Sequence, residues 1–247
     1  MKIRKFKESN YKAIYHNGQT MRLALNRNKP ITELEYPEFY DIKITDYCKG
    51  NCPYCYQSST EKGNHFDNIL AKSLNFFGDM KKNERPFQVA IGGGNPNEHP
   101  TFINLLFLFD SLNITPNYTT NGMGMTDEIL DATEKYCGGV AISTHFHLVH
   151  YWVPTLGECF ERNIKTNLHH IISDRKSTNH MRVIIENFKD QFDYIVLLPH
   201  ANQGRAEKNK KTIDYSYLEE TLDKFSDEIR SKIAYGAGFY EFFKFNG

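Results

Sequence analysis

From Phe39 onward one unit recurs six times, a short strand followed by a loop and a helix. The strand candidates are Tyr40 to Thr45, Phe87 to Ile91, Ile114 to Thr120, Val140 to Thr144, Asn167 to Ile172 and Tyr194 to Leu198. Most are short apolar runs, the pattern of strands buried on both faces. Between them lie helical stripes: Phe66, Ile69, Leu70, Leu74 and Phe77; Met181, Ile184, Ile185, Phe188 and Phe192; Leu218, Leu222, Phe225 and Ile229. Asp127 and Glu128 favour a helix start near Thr126, because carboxylates suit the positive end of the helix dipole. Strand–helix alternation implies parallel pairing with right-handed crossovers. Six units fall short of the eight that close a full barrel. The expectation is therefore an α/β fold, a partial, open (β/α)6 barrel, with a doubly wound sheet as the alternative. Ahead of it, Tyr11 to His16 and Gln19 to Leu25 flank Asn17-Gly18, a pair suited to a type I′ hairpin turn. This divides the chain into an N-terminal hairpin and connector, 1–37, and a core, 38–247, whose aromatic tail through Phe242 and Phe243 is expected to cap the barrel.

With 247 residues, 40% of them hydrophobic, the chain has material for one sizeable core. Thirty Lys and Arg balance thirty Asp and Glu, so the basic excess of a general nucleic-acid binder is missing. The basic start, Met1 to Asn10, has no apolar stretch behind it, and the run Leu105 to Phe109 is too short to span a bilayer. These features predict a cytoplasmic protein without a membrane partner.

Five cysteines are present, and three of them stand together in Cys48-Lys49-Gly50-Asn51-Cys52-Pro53-Tyr54-Cys55, directly after the first core strand. A disulfide framework spreads and pairs its cysteines, so clustered thiols point to metal or redox chemistry. Thiolates suit iron–sulfur clusters, zinc or Cu(I). An iron–sulfur cube usually takes four thiolates, so three leave one iron open to a ligand. A structural zinc site, with His65 or another His as fourth ligand, is the competing assignment, and either zinc or an iron–sulfur cluster could serve only to stabilise a non-catalytic binding module. Cys137 and Cys159 stand alone and read as small buried hydrophobes.

Other strand exits carry polar or glycine-rich sequence. Gly92-Gly93-Gly94-Asn95 follows the second strand, where bare backbone can approach a ligand closely. The third ends in Thr119-Thr120-Asn121-Gly122, the fourth in Ser143-Thr144-His145-Phe146-His147, the sixth in Leu198-Pro199 and a polar loop to Arg205. Side chains at the C-terminal ends of barrel strands point into the mouth where active sites assemble. His145 and His147 would share a face if the strand continued, whereas His169 and His170 cannot both face the interior. A second metal site built from His145, His147 and His150 is a further option; Lys208 to Lys211 reads as a solvated loop.

The Cys-x3-Cys-x2-Cys spacing after the first strand, with the aromatic Tyr54 before the third cysteine, resembles the radical S-adenosylmethionine superfamily. The resemblance extends from about Phe39 to Leu198 through the glycine-rich loop and the Thr-Asn-Gly strand end. It implies that Cys48, Cys52 and Cys55 hold a [4Fe-4S] cluster whose free iron binds the amino and carboxylate groups of S-adenosylmethionine. Reduced flavodoxin or ferredoxin would supply an electron, and the resulting 5′-deoxyadenosyl radical would abstract hydrogen from a peptide or small-molecule substrate. Gly92, Gly93, Gly94 and Asn95 would hold the methionine end, although the family commonly has an acidic residue where Asn95 stands. Thr120, Asn121 and Ser143 would contact the cofactor or wall the pocket, Tyr54 and Leu198 would frame adenine, and His145 and His147 would serve the substrate side. Peptide-modifying relatives often add a cysteine-rich C-terminal extension, and the cysteine-free stretch from Ile233 to Phe243 predicts a core without one. A glycyl-radical-enzyme activase shares the same cysteine spacing.

Overall fold

The computed structural model describes residues 1–34 and 36–240. Phe242 and Phe243, assigned above to a capping tail, lie outside the described residues. Strands β1 (Lys2–Phe6), β2 (Tyr11–His16) and β3 (Gln19–Ala24) form an antiparallel sheet in the order β1-β2-β3. The expected hairpin is β2–β3, with Asn17 and Gly18 both at positive φ, 49° and 79°, as a type I′ turn demands. β1 is hidden in the sequence because its charges resemble a solvated terminus. In fact Lys2 donates to the Asn113 carbonyl at 2.8 Å and the Thr115 hydroxyl at 2.9 Å, and the Arg4 guanidinium lies 4.1 Å above the Phe87 ring. Phe6, Tyr11, Ala13, Tyr15 and Phe87 form a small separate core, which fixes this sheet across the base of the larger one.

The larger sheet comprises β4 (Phe39–Thr45), β5 (Gln88–Gly93), β6 (Thr115–Thr120), β7 (Gly139–Ser143), β8 (Thr166–Ile172), β9 (Tyr194–Pro199) and β10 (Ile233–Tyr235). All pairings are parallel and the order is sequential from β4 to β10, so among the described residues each outer strand is paired on one side only, β4 with β5 and β10 with β9. Sequential order, rather than the reversal of a doubly wound sheet, is the order of a barrel that stops before closing. The six expected strands are all present; β10, three residues long, is the addition.

The strands are not uniformly apolar. One face carries Ile44, Val89, Ile91, Tyr118, Val140, Ile142, Leu168, Ile172, Ile195 and Leu197, all in the main core under the helices. The other carries Asp41, Lys43, Ala90, Gly92, Thr119, Ser143, His169 and Leu198, which line a cavity. Burying an aliphatic side chain contributes roughly 1.5–3 kcal/mol, so the helix-facing rows hold the barrel together and leave the inner rows free to carry chemistry.

The helices are α1 (Ile69–Gly78), α2 (Phe102–Ser111), α3 (Asp127–Tyr136), α4 (Val149–Glu161), α5 (Arg175–Phe188), α6 (Tyr215–Leu222) and α7 (Asp227–Ser231). Thr126 caps α3 as expected, its side chain accepting from the Ile129 amide. All three expected stripes need correction. Phe192 is buried in the core but lies beyond the end of α5. In α1 Ile69, Leu70 and Phe77 meet the core as expected, joined by the buried Ser73, while Leu74 is exposed and Phe66 precedes the helix. The stripe from Leu218 to Ile229 is two helices, because Ser226 turns the chain and accepts from the Ile229 amide to start α7. No helix among the described residues is long and apolar enough to cross a membrane.

Candidate active site

β4 ends at Thr45, and the following loop carries Cys48, Cys52 and Cys55. Backbone bonds from the neighbouring strand exit fix this loop. The Gly94 amide donates to the Thr45 carbonyl at 2.8 Å and the Asn95 amide to the Tyr47 carbonyl at 2.9 Å. The approach is possible only without side chains: a Cβ on Gly94 would sit 2.0 Å from the Tyr47 oxygen, and one on Gly93, whose φ is +124°, would sit 2.2 Å from the Thr45 oxygen. The glycine run therefore docks the cysteine loop. With two amides committed, what it can offer an ammonium is its carbonyl oxygens, the only groups there that accept from one.

The far side of the loop is held from the 3-10 segment Gly204–Asn209 that follows β9. Gly204, at φ +58°, brings the chain against the Tyr56 carbonyl, and the Arg205 amide donates to the Cys55 carbonyl at 3.0 Å. The Arg205 side chain donates to the carbonyls of Cys52 at 3.0 Å and Ser59 at 2.7 Å. Cys48 Sγ accepts from the Gly50 amide and from Asn121 Nδ2, each at 3.4 Å. N–H groups aimed at sulfur stabilise thiolate over thiol.

Burial works against charge here. It raises the Cys48 thiol, and it pushes Cys52 up to about 12, helped by the neighbouring Cys48 and Cys55 and opposed by Arg205. Thiols like these give up their protons to a bound metal rather than to water. Among the described residues no three His, Cys, Asp or Glu side chains converge as ligands of one ion. A tetrahedral zinc site needs its thiolates about 3.8 Å apart, from a Zn–S bond near 2.3 Å. The three thiols share one wall of the cavity. The same lack of three converging ligands leaves His145, His147 and His150 without a shared metal site.

The cavity has a volume of about 630 Å³, within the range of cofactor sites. Its wall includes Cys48, Cys52, Cys55 and Tyr54 from the loop, Gly92, Gly93 and Gly94 from β5, Thr120 and Asn121 after β6, Ser143 from β7 and Leu198 from β9. Eleven of the residues named from sequence thus meet in one place. His145 lines it too, lowered to about 3 by burial and then by His147 and His170, and so does His169, lowered to about 4 by burial. Both imidazoles are neutral at pH 7.

Two expected residues do not line the cavity. β7 stops at Ser143 and a 3-10 turn, Phe146–Leu148, follows, so His147 is exposed and stands behind the wall, its ring stacked on His145 with centroids 5.9 Å apart and its Nδ1 3.3 Å from the Tyr54 hydroxyl. Asn95 is 1% exposed and committed: its Nδ2 donates to Glu98 and to the Met123 carbonyl, and its Oδ1 accepts from Thr120 and the Asn121 amide. It braces the strand ends around the cavity. Residues not singled out from sequence are Asp41 and Lys43, whose period-two placement on β4 was a readable signal, and Arg205, whose role depends on contacts some 150 positions away. His170 points from β8 to the helix side, bonding Thr144 and the Ser177 carbonyl, both at 2.8 Å.

A family model described as the Radical SAM superfamily matches residues 42–202. That family implies an iron–sulfur cluster and S-adenosylmethionine as cofactors, and the thiol set, the sulfur-directed N–H groups and the cavity size fit both. A search of curated proteins returned no match. Among solved structures, SuiB from Streptococcus suis bound to precursor peptide SuiA is similar with a TM-score of 0.68 and 17% identity, over 86% of this chain and 52% of that one. Histidine-tagged anSMEcpe with bound AdoMet is similar with a TM-score of 0.63 and 16% identity, over 81% of this chain and 63% of that one. Native anSMEcpe with bound AdoMet and Kp18Cys peptide gives 0.61 and 14%, over 80% and 63%. The chain thus spans between half and two thirds of the length of these proteins. With the family model extending from β4 past the end of β9, and the cysteine loop at the mouth of an open parallel barrel, the chain belongs to the radical S-adenosylmethionine superfamily of enzymes.

Proposed function

We propose that this chain is a peptide-modifying radical enzyme in which Cys48, Cys52 and Cys55 hold a [4Fe-4S] cluster and the adjoining cavity holds S-adenosylmethionine. When bound, these groups supply reductive carbon–sulfur cleavage, with an electron from a reduced flavodoxin or ferredoxin, and a carbon radical that removes hydrogen from substrate. The observation that carries the reading is the meeting of three thiols, three bare glycines and the polar ends of β6 and β7 in one cavity.

The chain's own residues have distinct tasks. The carbonyls of Gly92 to Gly94 accept from an ammonium, and Asn121 steadies Cys48. Ser143 offers a hydroxyl to a ribose, while Leu198 and the Tyr54 ring supply apolar surface for a base. Neutral His145 and His169 sit on the same wall as hydrogen-bonding groups that add no charge. A dry, walled pocket protects a radical from quenching.

A peptide substrate is supported by two observations. SuiB and anSMEcpe were each solved with a peptide bound. Among the described residues no strand pairs with the outer edge of β4, where Asp41 and Lys43 face the cavity and are exposed, which favours lateral access for a peptide.

The test is anaerobic assembly with iron and sulfide followed by reduction in the presence of S-adenosylmethionine. The wild-type protein is expected to turn brown and release 5′-deoxyadenosine, and Cys52→Ala to do neither while keeping its fold. A colourless, zinc-loaded protein would return the chain to the binding-module reading. A glycyl radical formed on a partner enzyme would make it an activase.

A further inference from the structure

Arg205 lies on the 3-10 segment Gly204–Asn209, beyond β9 and beyond the stretch matched by the family model. It nevertheless reaches back to the cysteine loop with both its backbone and its side chain. Its amide holds the Cys55 carbonyl, Nε holds Cys52 and one terminal nitrogen holds Ser59. Three loop carbonyls spanning both ends of the Cys52–Cys55 segment are thus gathered by one residue. A guanidinium can do this because its donors form a rigid planar fork; an ammonium cannot span the same acceptors.

The remaining terminal nitrogen of Arg205 is buried and has no hydrogen-bond partner among the described residues. A buried donor on a cation is costly to leave unmade. Ser59 Oγ and Gln57 Oε1, on the same loop and lining the cavity, are likewise buried and unpartnered among the described residues. No carboxylate of the described residues forms an ion pair with Arg205. A positive charge therefore stands behind the cysteine loop, and none of the acidic residues described neutralises it.

We infer that Arg205 is a positioning residue for the metal centre: its fork clamps the loop that carries Cys52 and Cys55, and its unneutralised charge offsets the negative charge of the thiolate-bound cluster. This rests on the cluster reading above. Net charge and hydrogen bonding near the sulfurs set the potential of such centres. Arg205 therefore makes the cluster easier to reduce as well as harder to lose. Clamp and charge are separable, because lysine keeps the charge without the fork and glutamine keeps neither.

The experiment compares wild type, Arg205→Lys and Arg205→Gln after anaerobic iron–sulfide assembly. Two quantities are read besides turnover: iron retained under chelator competition, and the midpoint potential from a titration followed by electron paramagnetic resonance. Retention should weaken in both variants, by roughly 10-fold or more, the usual cost of removing a group that orients a ligand. The potential should move to more negative values in Arg205→Gln and stay near wild type in Arg205→Lys. A wild-type potential in Arg205→Gln overturns the inference whatever happens to retention. If circular dichroism shows that Arg205→Gln does not fold, Arg205→Lys decides: unchanged retention or a negative shift there overturns it. Failure of the wild type to take up a cluster removes the functional reading as well. A loaded wild type with indifferent variants removes only this one.

Discussion

Replacing Gly94 by alanine should separate the cysteine loop from the barrel. The backbone angle at Gly94 is an ordinary one, so the cost comes from contact, a Cβ 2.0 Å from the Tyr47 oxygen and 2.6 Å from its carbonyl carbon. Neither neighbour is a flexible side-chain end, so the strand exit and the loop must part. Forcing one extra carbon into a packed site costs roughly 1–3 kcal/mol. Parting also weakens the 2.8 Å bond from Gly94 to Thr45 and the 2.9 Å bond from Asn95 to Tyr47, at about 1 kcal/mol each. The total is about 3–5 kcal/mol if the loop stays docked. At roughly 2–4 °C per kcal/mol for a chain of this size, the apo protein should melt about 6–20 °C lower. If instead the loop swings away, the melt changes less and iron uptake is lost. Differential scanning calorimetry of the apo protein and iron analysis after anaerobic assembly distinguish the two. Gly157→Ala is the contrasting control: it lies inside α4, an added Cβ meets nothing within 4 Å, and it should stabilise by roughly 0.5–1 kcal/mol. Wild-type melting together with wild-type iron uptake in Gly94→Ala would refute the docking argument.

Further expectations concern the cavity wall. Asn121→Ala removes an N–H···S bond to Cys48 and should make the cluster potential more negative, as read by redox titration, without changing the number of irons bound. Acid should weaken the fold between pH 6.5 and 4. Burial lowers His170 to about 4, so the unfolded chain binds a proton there that the folded chain refuses, and stability falls as pH drops through that window. For His170 the loss from pH 6.5 to 5 is about 2 kcal/mol, with His145 and His169 adding in the same direction, and urea midpoints at pH 7 and pH 5 measure it. His147→Ala should affect 5′-deoxyadenosine release less than His145→Ala, because only His145 lines the cavity; equal losses would make the Tyr54–His147 contact part of the chemistry.

The parts legible in sequence were those written in local spacing. Cys48, Cys52 and Cys55 share one loop, and the strand exits at Gly92, Asn121 and Ser143 could be placed because each follows a short strand. What escaped depends on partners distant in the chain. Asn95 stands in the expected loop, but its four hydrogen bonds, reaching as far as Met123, turn it from a ligand contact into a brace. His147 was misplaced because nothing in Ser143-Thr144-His145 announces that β7 stops and a 3-10 turn begins. β1 was missed because Lys2 and Arg4 resemble surface charge until Asn113, Thr115 and Phe87 are brought beneath them.

The unjoined rims of β4 and β10 have a geometric meaning for whatever the enzyme acts on. A ring sealed all the way round can be entered only by the tip of a molecule, whereas a ring with a missing stave can be approached broadside. For the peptide substrate proposed above, a residue midway along the chain could then be offered to the cavity with both flanks left outside the barrel.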